Sequence, residues 1–274
     1  MLHTTEIGSS GDRAVFLHGL FGQGRNFTPI ARALEPDIHS LLVDLPNHGR
    51  SEWTDSVDYV EVADAVAEHL RTGFAADGPV HVIGHSMGGK VAMVLALRHP
   101  DLVRRLVVVD ISPTASEGAG EFEHLLDSLA GLDLGAVSRR AEADQALQEQ
   151  IPNDVVRGFL LQNLAATGSS SDPAFTWRAN LALLRAGLPV IGGFPEADRL
   201  DAPPFEHPVL WVAGERSDYV RKEHDAAMRQ LFPHTTQVTI KGAGHWVHSE
   251  RPEAFVSALR VFLLGHREQR ADQV

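Results

Sequence analysis

The chain has 274 residues, a formal net charge of −12 from 36 acidic and 24 basic side chains, and no cysteine. The absence of cysteine excludes disulfide frameworks, thiolate metal sites and a cysteine nucleophile. The acidic balance disfavours a nucleic-acid partner, because polyphosphate would be repelled. The length suits one domain that carries an insertion.

The N-terminal segment lacks the basic start and the apolar run of a secretory signal peptide. No stretch approaches the roughly 20 apolar residues of a membrane-spanning helix. We therefore expect a cytoplasmic protein without a membrane span. The sequence does not indicate an oligomeric state.

Six short runs of apolar residues, bounded by turn residues, predict strands. They are 14–17, 40–43, 80–83, 106–109, 209–212 and 237–240. Amphipathic segments between them predict helices near 26–35, 57–72, 87–99, 221–232 and 250–264. This alternation indicates a mostly parallel sheet with helices on both faces and ligands at the carboxyl ends of the strands.

The alternation stops over residues 113–204, where no run predicts a strand. Helical spacing recurs there instead, most clearly at Phe122, Leu125, Leu126 and Leu129. We interpret 113–204 as a helical cap over the carboxyl end of the sheet. Residues 1–112 and 205–274 then form the core.

A glycine-rich segment follows the third predicted strand and precedes a predicted helix. Gly84-His85-Ser86-Met87-Gly88 fits the G-x-S-x-G pattern. In this setting Ser86 is expected at a strained turn that projects its hydroxyl, while the two glycines let neighbouring backbone come close. The alternative is an ordinary strand–helix turn, but the G-x-G-x-x-G spacing of dinucleotide-binding folds is absent. We predict that Ser86 is a nucleophile.

A serine nucleophile needs an adjacent base. The chain has 15 histidines, and His245 is the candidate because it lies in a glycine-rich turn directly after the last predicted strand. His248, three residues further on, is the main competitor.

Four stretches together resemble the α/β-hydrolase family. They are 18–22, 44–51, 84–89 and 242–248. The resemblance is closest to the small carboxylesterases that include the ABHD11-type hydrolases and the bacterial YbfF-type esterases. It implies the α/β-hydrolase fold, a mostly parallel twisted sheet flanked by helices with a helical cap inserted after the sixth strand.

The resemblance leaves two candidates for the acid of a catalytic triad. Most members of the fold carry the acid at the third residue after a glycine near the end of the next-to-last strand. That glycine is Gly214 here, the position holds Ser217, and Asp218 comes one place later. Asp110 follows another strand, from which esterases of the resembled group can take their acid. By this analogy we favour Asp110 over Asp218.

The resemblance also implies an oxyanion hole, which needs two backbone donors. One is the N–H of Met87, directly after the nucleophile, and the other is that of Leu20, with Phe21 as the next choice. Phe21, Trp177 and Trp246 are candidate walls of the substrate pocket, and core packing explains them equally well.

Serine at this turn argues against dehalogenase and epoxide-hydrolase chemistry, which need a carboxylate nucleophile. We expect hydrolysis of small-molecule carboxylic esters of short or medium acyl chain, extending to thioesters, through an acyl-enzyme. No cofactor or metal is expected, and Asp44 and His48 are interpreted as residues that stabilise loops. The alternatives are carbon–carbon bond hydrolysis, lactone opening, cofactor-free perhydrolysis, a receptor that hydrolyses its ligand slowly, and a non-catalytic interaction protein.

Overall fold

A computed structural model describes residues 1–115, 119–168 and 174–271. Its strands are β1 (His3–Ile7), β2 (Asp12–Leu17), β3 (Ile38–Asp44), β4 (Val80–His85), β5 (Val103–Val109), β6 (Leu164–Ala166), β7 (Phe175–Trp177), β8 (Val209–Gly214) and β9 (Thr235–Ile240). Its helices are α1 (Thr28–Leu34), α2 (Tyr59–Arg71), α3 (Met87–Arg98), α4 (Ala119–Ala130), α5 (Arg140–Ala146), α6 (Asp154–Leu160), α7 (Leu181–Ala186), α8 (Leu188–Gly192), α9 (Ala197–Leu200), α10 (Asp225–Leu231), α11 (Val247–Glu250) and α12 (Pro252–Ala271). Among the described residues, no helix is both long and apolar enough to cross a bilayer.

The large sheet has seven strands in the order β1-β3-β2-β4-β5-β8-β9. β1 runs antiparallel to β3, and the other neighbouring strands of this sheet are parallel. The chain places β3 on one side of β2 and β4 on the other. The carboxyl ends of β2 and β4 therefore form a topological switch point, where open α/β sheets bind ligands. This architecture confirms the predicted fold class.

Both faces of the large sheet are covered by helices. Successive strand residues point to opposite faces, so Val15 packs on the face that carries α2 and α3, while Phe16 packs on the face that carries α1 and α12. β4 is buried at all six positions for this reason. A strand buried on both faces reads as a continuous apolar run, which is why its sequence was recognisable.

The edge strand β1 was not predicted. Its sequence, His-Thr-Thr-Glu-Ile, is polar and partly exposed and carries no apolar run. The predicted insertion, residues 113–204, follows β5, where the resemblance implied the sixth strand. Five described strands, β1 to β5, precede it along the chain.

The insertion contains the helices α4 to α9 and a small antiparallel pair of strands, β6 and β7. The prediction that this stretch has no strand is therefore wrong. Each of the two strands has only three residues, too few to show an alternating pattern. Leu126 and Leu160 of the insertion pack in the same hydrophobic cluster as the sheet residue Val15. The division into a core and a cap at residues 113–204 stays a prediction.

Candidate active site

Ser86 lies at the turn between β4 and α3, with φ 54° and ψ −122°. A side chain is strained in this region of backbone conformation. A Cβ on Gly84 would collide with the carbonyl oxygen of Gly88, and a Cβ on Gly88 with that of Leu17. The close approach of these backbone segments explains why glycine flanks the turn at both positions.

Three side chains from different strand ends meet at this turn. The Ser86 hydroxyl Oγ lies 3.0 Å from His245 Nε2, and His245 Nδ1 lies 2.8 Å from Asp110 Oδ2. Asp110 directly follows β5, and His245 lies in the loop after β9. The Asp110 side chain is fully buried, whereas 13% of the His245 side chain is exposed. The contacts follow the order of nucleophile, base and orienting carboxylate.

The hydrogen bonds of the two candidate acids distinguish Asp110 from Asp218. Asp110 Oδ1 accepts a hydrogen bond of 2.8 Å from the backbone N–H of Gly214, and Oδ2 accepts one from the Ser217 hydroxyl. Among the described contacts, Asp218 makes no hydrogen bond to His245. The sequence analysis did not predict the contact between Ser217 and Asp110. A hydroxyl side chain at the position that usually holds the acid could have indicated it.

The loop after β2 presses against the nucleophile. A Cβ on Gly19 would lie 2.9 Å from His85 Nδ1 and 3.1 Å from Ser86 Cβ. In the described part of the chain, the backbone N–H groups of Leu20, Phe21 and Met87 donate to no protein acceptor. They are therefore available to a substrate oxygen, as an oxyanion hole requires.

Two small cavities reach Ser86. The cavity that His245 also lines, here called the outer cavity, measures about 20 Å³ and is lined by Ser86, His245, Phe21 and Trp246. The cavity without His245 in its described lining, here called the inner cavity, measures about 30 Å³ and is lined by Ser86 together with Leu20, Met87, Lys90, Ile111 and Ile191. Helices α4 and α8 of the insertion contribute to these walls.

Two of the three predicted pocket residues, Phe21 and Trp246, line the outer cavity. Trp177 is not among the described residues that line either cavity. It ends β7, pairs with Leu164 of β6, and packs against the hydrophobic cluster that also contains Val15 of the sheet. The structure therefore places Trp177 in the strand pair of β6 and β7 and outside the described linings of the two cavities.

His248, the competitor of His245, packs in a buried aromatic group beside the site. Its ring centroid lies 4.7 Å from that of His85 and 4.7 Å from that of Phe27. Burial lowers the pKa of His248 to about 4 and holds the pKa of His85 well below its usual value. Both rings are therefore neutral near pH 7. His85 Nε2 lies 2.8 Å from the carbonyl oxygen of His245, a contact that positions the His245 loop.

No group of three metal-binding side chains is present within residues 1–115, 119–168 and 174–271. The carboxylate of Asp44 accepts hydrogen bonds from the backbone N–H groups of Gly24 at 2.7 Å and Arg50 at 2.9 Å. Asp44 thus ties together two loops near the carboxyl ends of β2 and β3.

Comparisons with known proteins identify the family of the chain and its relatives. Residues 14–258 match the profile of the alpha/beta hydrolase family. The chain is 36% identical to the sn-1-specific diacylglycerol lipase ABHD11 of Mus musculus, over 91% of this chain and 80% of that protein. It is 29% identical to the esterase YbfF of Escherichia coli (strain K12), over 91% of this chain and 92% of that protein. A solved marine microorganism esterase superposes with a TM-score of 0.87 at 31% identity, over 94% of this chain and 97% of that one.

Proposed function

The chain belongs to the alpha/beta hydrolase family, and on that premise we propose that it is a serine esterase whose nucleophile is Ser86. Hydrolysis of carboxylic esters is the activity of its relatives and is the activity of this chain. The distance of 3.0 Å between Ser86 Oγ and His245 Nε2 is the observation that carries the assignment of the nucleophile.

The first half of the reaction forms an acyl-enzyme. His245 Nε2 takes the proton of the Ser86 hydroxyl as its oxygen attacks the ester carbonyl. Asp110 holds the imidazole in the right tautomer and stabilises the imidazolium. The N–H groups of Leu20 and Met87 stabilise the negative oxygen of the tetrahedral intermediate. The bond to the alcohol oxygen then breaks, and that oxygen receives the proton from His245.

The second half releases the acid. His245 takes a proton from water, the resulting hydroxide attacks the acyl carbon, and the bond to Ser86 Oγ breaks. The proton on His245 returns to Ser86, which restores the free enzyme. Water is the only co-reactant.

We propose esters of short or medium acyl chain, and thioesters, as substrates. The small volumes of the two cavities at Ser86, about 20 and 30 Å³, support a short acyl group. The mouse relative is named a diacylglycerol lipase, which makes apolar esters the first substrates to assay.

Labelling by a fluorophosphonate tests the assignment. We expect the wild-type chain to be labelled, and Ser86→Ala to lose both labelling and hydrolysis of p-nitrophenyl butyrate, with kcat reduced on the order of 10⁶-fold. Ser257→Ala, at an exposed serine of α12, is the matched control and should behave as wild type. Labelling that survives Ser86→Ala would contradict the proposal.

A further inference from the structure

Of the two cavities at Ser86, one is also lined by the proposed base, His245. His245 lines the outer cavity together with Ser86, and it is not among the described residues that line the inner cavity. In ester cleavage the base returns its proton to the oxygen of the alcohol, so the alcohol must lie on the side of the base. The outer cavity therefore receives the alcohol, which leaves the inner cavity for the acyl group.

A third cavity, of about 470 Å³, also contacts His245 and is lined by charged side chains such as Arg216 and Glu223. Ser86 is not among its described lining residues. The scissile bond must touch both Ser86 and His245, so this polar cavity does not compete for the alcohol oxygen.

Lys90 is one of the residues that line the inner cavity. This side chain is 1% exposed, and its ammonium donates hydrogen bonds to the carbonyl oxygens of Gly192 at 2.7 Å and Gly193 at 2.6 Å. Ile111 and Ile191 give the same cavity apolar walls. The Lys90 hydrogen bonds join α3 to the end of α8, and both helices contribute residues to this cavity.

The volume of the inner cavity limits the acyl group to a few atoms. An apolar cavity of about 150 Å³ holds one benzene molecule, whereas the inner cavity measures about 30 Å³. That space suits an acetyl or propionyl group, which has about two or three carbons including the carbonyl carbon.

Beside the outer cavity lies a groove of about 840 Å³. The groove shares Val156, Phe159 and Trp246 with the outer cavity, and the ring centroids of Phe159 and Trp246 lie 6.1 Å apart. Val155 also lines the groove and is 75% exposed despite its apolar side chain. An exposed apolar wall continuous with a catalytic cavity suits an apolar part of the substrate.

We propose that this chain hydrolyses esters of a short acyl group with a long apolar alcohol, the acyl group in the inner cavity and the alcohol chain in the groove. The inference rests on the proposed function, since it uses the roles of Ser86 and His245. The reaction cleaves the acyl–oxygen bond with one water and releases a short carboxylic acid and a long-chain alcohol.

Two isomeric esters, which have nearly the same overall hydrophobicity, test the inference. Octyl acetate puts eight carbons on the alcohol side, and ethyl octanoate puts them on the acyl side. Below the solubility limit, we expect kcat/KM for octyl acetate to exceed that for ethyl octanoate by at least about ten-fold, because the groove buries methylene groups of the octyl chain. Release of acid, followed by titration at constant pH, measures both reactions.

A charge introduced into the groove tests whether the alcohol chain binds there. Val155→Asp should lower kcat/KM for octyl acetate about ten-fold, which is a larger loss than that for ethyl acetate. Val261→Asp, at a valine of α12 that is 73% exposed, is the matched control and should change neither value. Equal loss on both acetates, or no loss on octyl acetate, would overturn the assignment of the groove.

Truncation of the inner cavity tests the acyl side. Ile191→Ala should raise kcat/KM for ethyl octanoate about ten-fold and so reduce the preference for octyl acetate. Leu188→Ala, at another lining residue, serves if thermal melting shows that the first variant is unfolded. A folded variant of either kind without gain on ethyl octanoate would overturn the assignment of the inner cavity.

The failure of the inference is distinguishable from that of the proposed function. Hydrolysis that depends on Ser86 but prefers ethyl octanoate overturns only the inference. Hydrolysis of both esters that persists in Ser86→Ala overturns the proposed function, and the inference with it.

Discussion

Asp110 shows how one residue departs from ordinary backbone geometry at the site. It follows β5 with a φ of 53°, in the left-handed region that non-glycine residues seldom adopt. Its carboxylate contacts His245 Nδ1, the N–H of Gly214 and the hydroxyl of Ser217. These contacts fix the orientation of a carboxylate that is fully buried. An amide in its place would present an N–H to the imidazole and favour the wrong tautomer.

We expect Asp110→Asn to lower kcat about 10⁴-fold for that reason. Asp218→Asn is the matched control, and its kcat should stay within about two-fold of the wild type. Steady-state hydrolysis of p-nitrophenyl acetate by both variants measures the effect. A large loss in Asp218→Asn alone would reassign the acid.

Sequence patterns identified the candidate nucleophile and base because their signals are local. Ser86 is recognised within five residues and His245 by its turn after the last strand. The choice between Asp110 and Asp218 depends on how β5 and β8 lie side by side, with Val109 paired to Val212. No short window of the sequence contains that pairing. The choice of Asp110 as the acid therefore rested on the resemblance to related esterases.

At the scale of the element, the turn between β4 and α3 depends on backbone contact. Gly88 lies so close to the end of β2 that a Cβ would collide with the carbonyl oxygens of Leu17 and His18. The helix can begin at Met87 only because this approach is possible.

Gly88→Ala should therefore lower the free energy of unfolding by about 1–3 kcal/mol, as overpacking of a close contact does. Gly158→Ala offers the opposite case, since it lies in α6 and a Cβ there would meet no atom within 4 Å. That variant should gain about 0.5–1 kcal/mol. Urea denaturation of the two variants measures both changes, and a neutral Gly88→Ala would contradict the close contact.

The helices and strands differed in how well they could be predicted from the sequence. α2 was recognisable because its buried side chains Ala63, Val66 and Leu70 recur at helical spacing. β6 and β7 were not, since three-residue strands exist only through pairing with each other. The walls of the inner cavity were equally hidden, because the contact between Lys90 and Gly192 joins residues 102 apart in the sequence.

At the scale of the whole molecule, buried histidines couple stability to pH. Burial lowers the pKa of His48 to about 3 and that of His248 to about 4, from 6.5 in the unfolded chain. Between those values and 6.5 the unfolded chain binds more protons than the folded one. Stability is therefore fully present above about pH 6.5, falls as the pH drops through this window, and levels off below the folded values.

We expect the free energy of unfolding to fall by a few kcal/mol, in order of magnitude, between pH 7 and pH 4. His48→Asn removes one titrating group and should flatten this dependence, although it lowers stability at pH 7. His124→Gln, at an exposed histidine of α4, should keep the wild-type slope. Denaturant titrations at several pH values measure the slopes, and equal slopes for His48→Asn and wild type would contradict the role of His48.

The hydrogen bond between Asp110 and His245 joins residues 135 apart in the sequence. Ribosomes add about 5–20 residues per second, so His245 is added roughly 7 to 27 s after Asp110. During that interval a nascent chain carries a serine with no base beside it. If Ser86 and His245 have the proposed roles, Ser86 cannot be acylated by the esters of the cell while the chain is still being synthesised. Onset of hydrolysis then reports the docking of the last strand, which makes activity a late marker of completed folding.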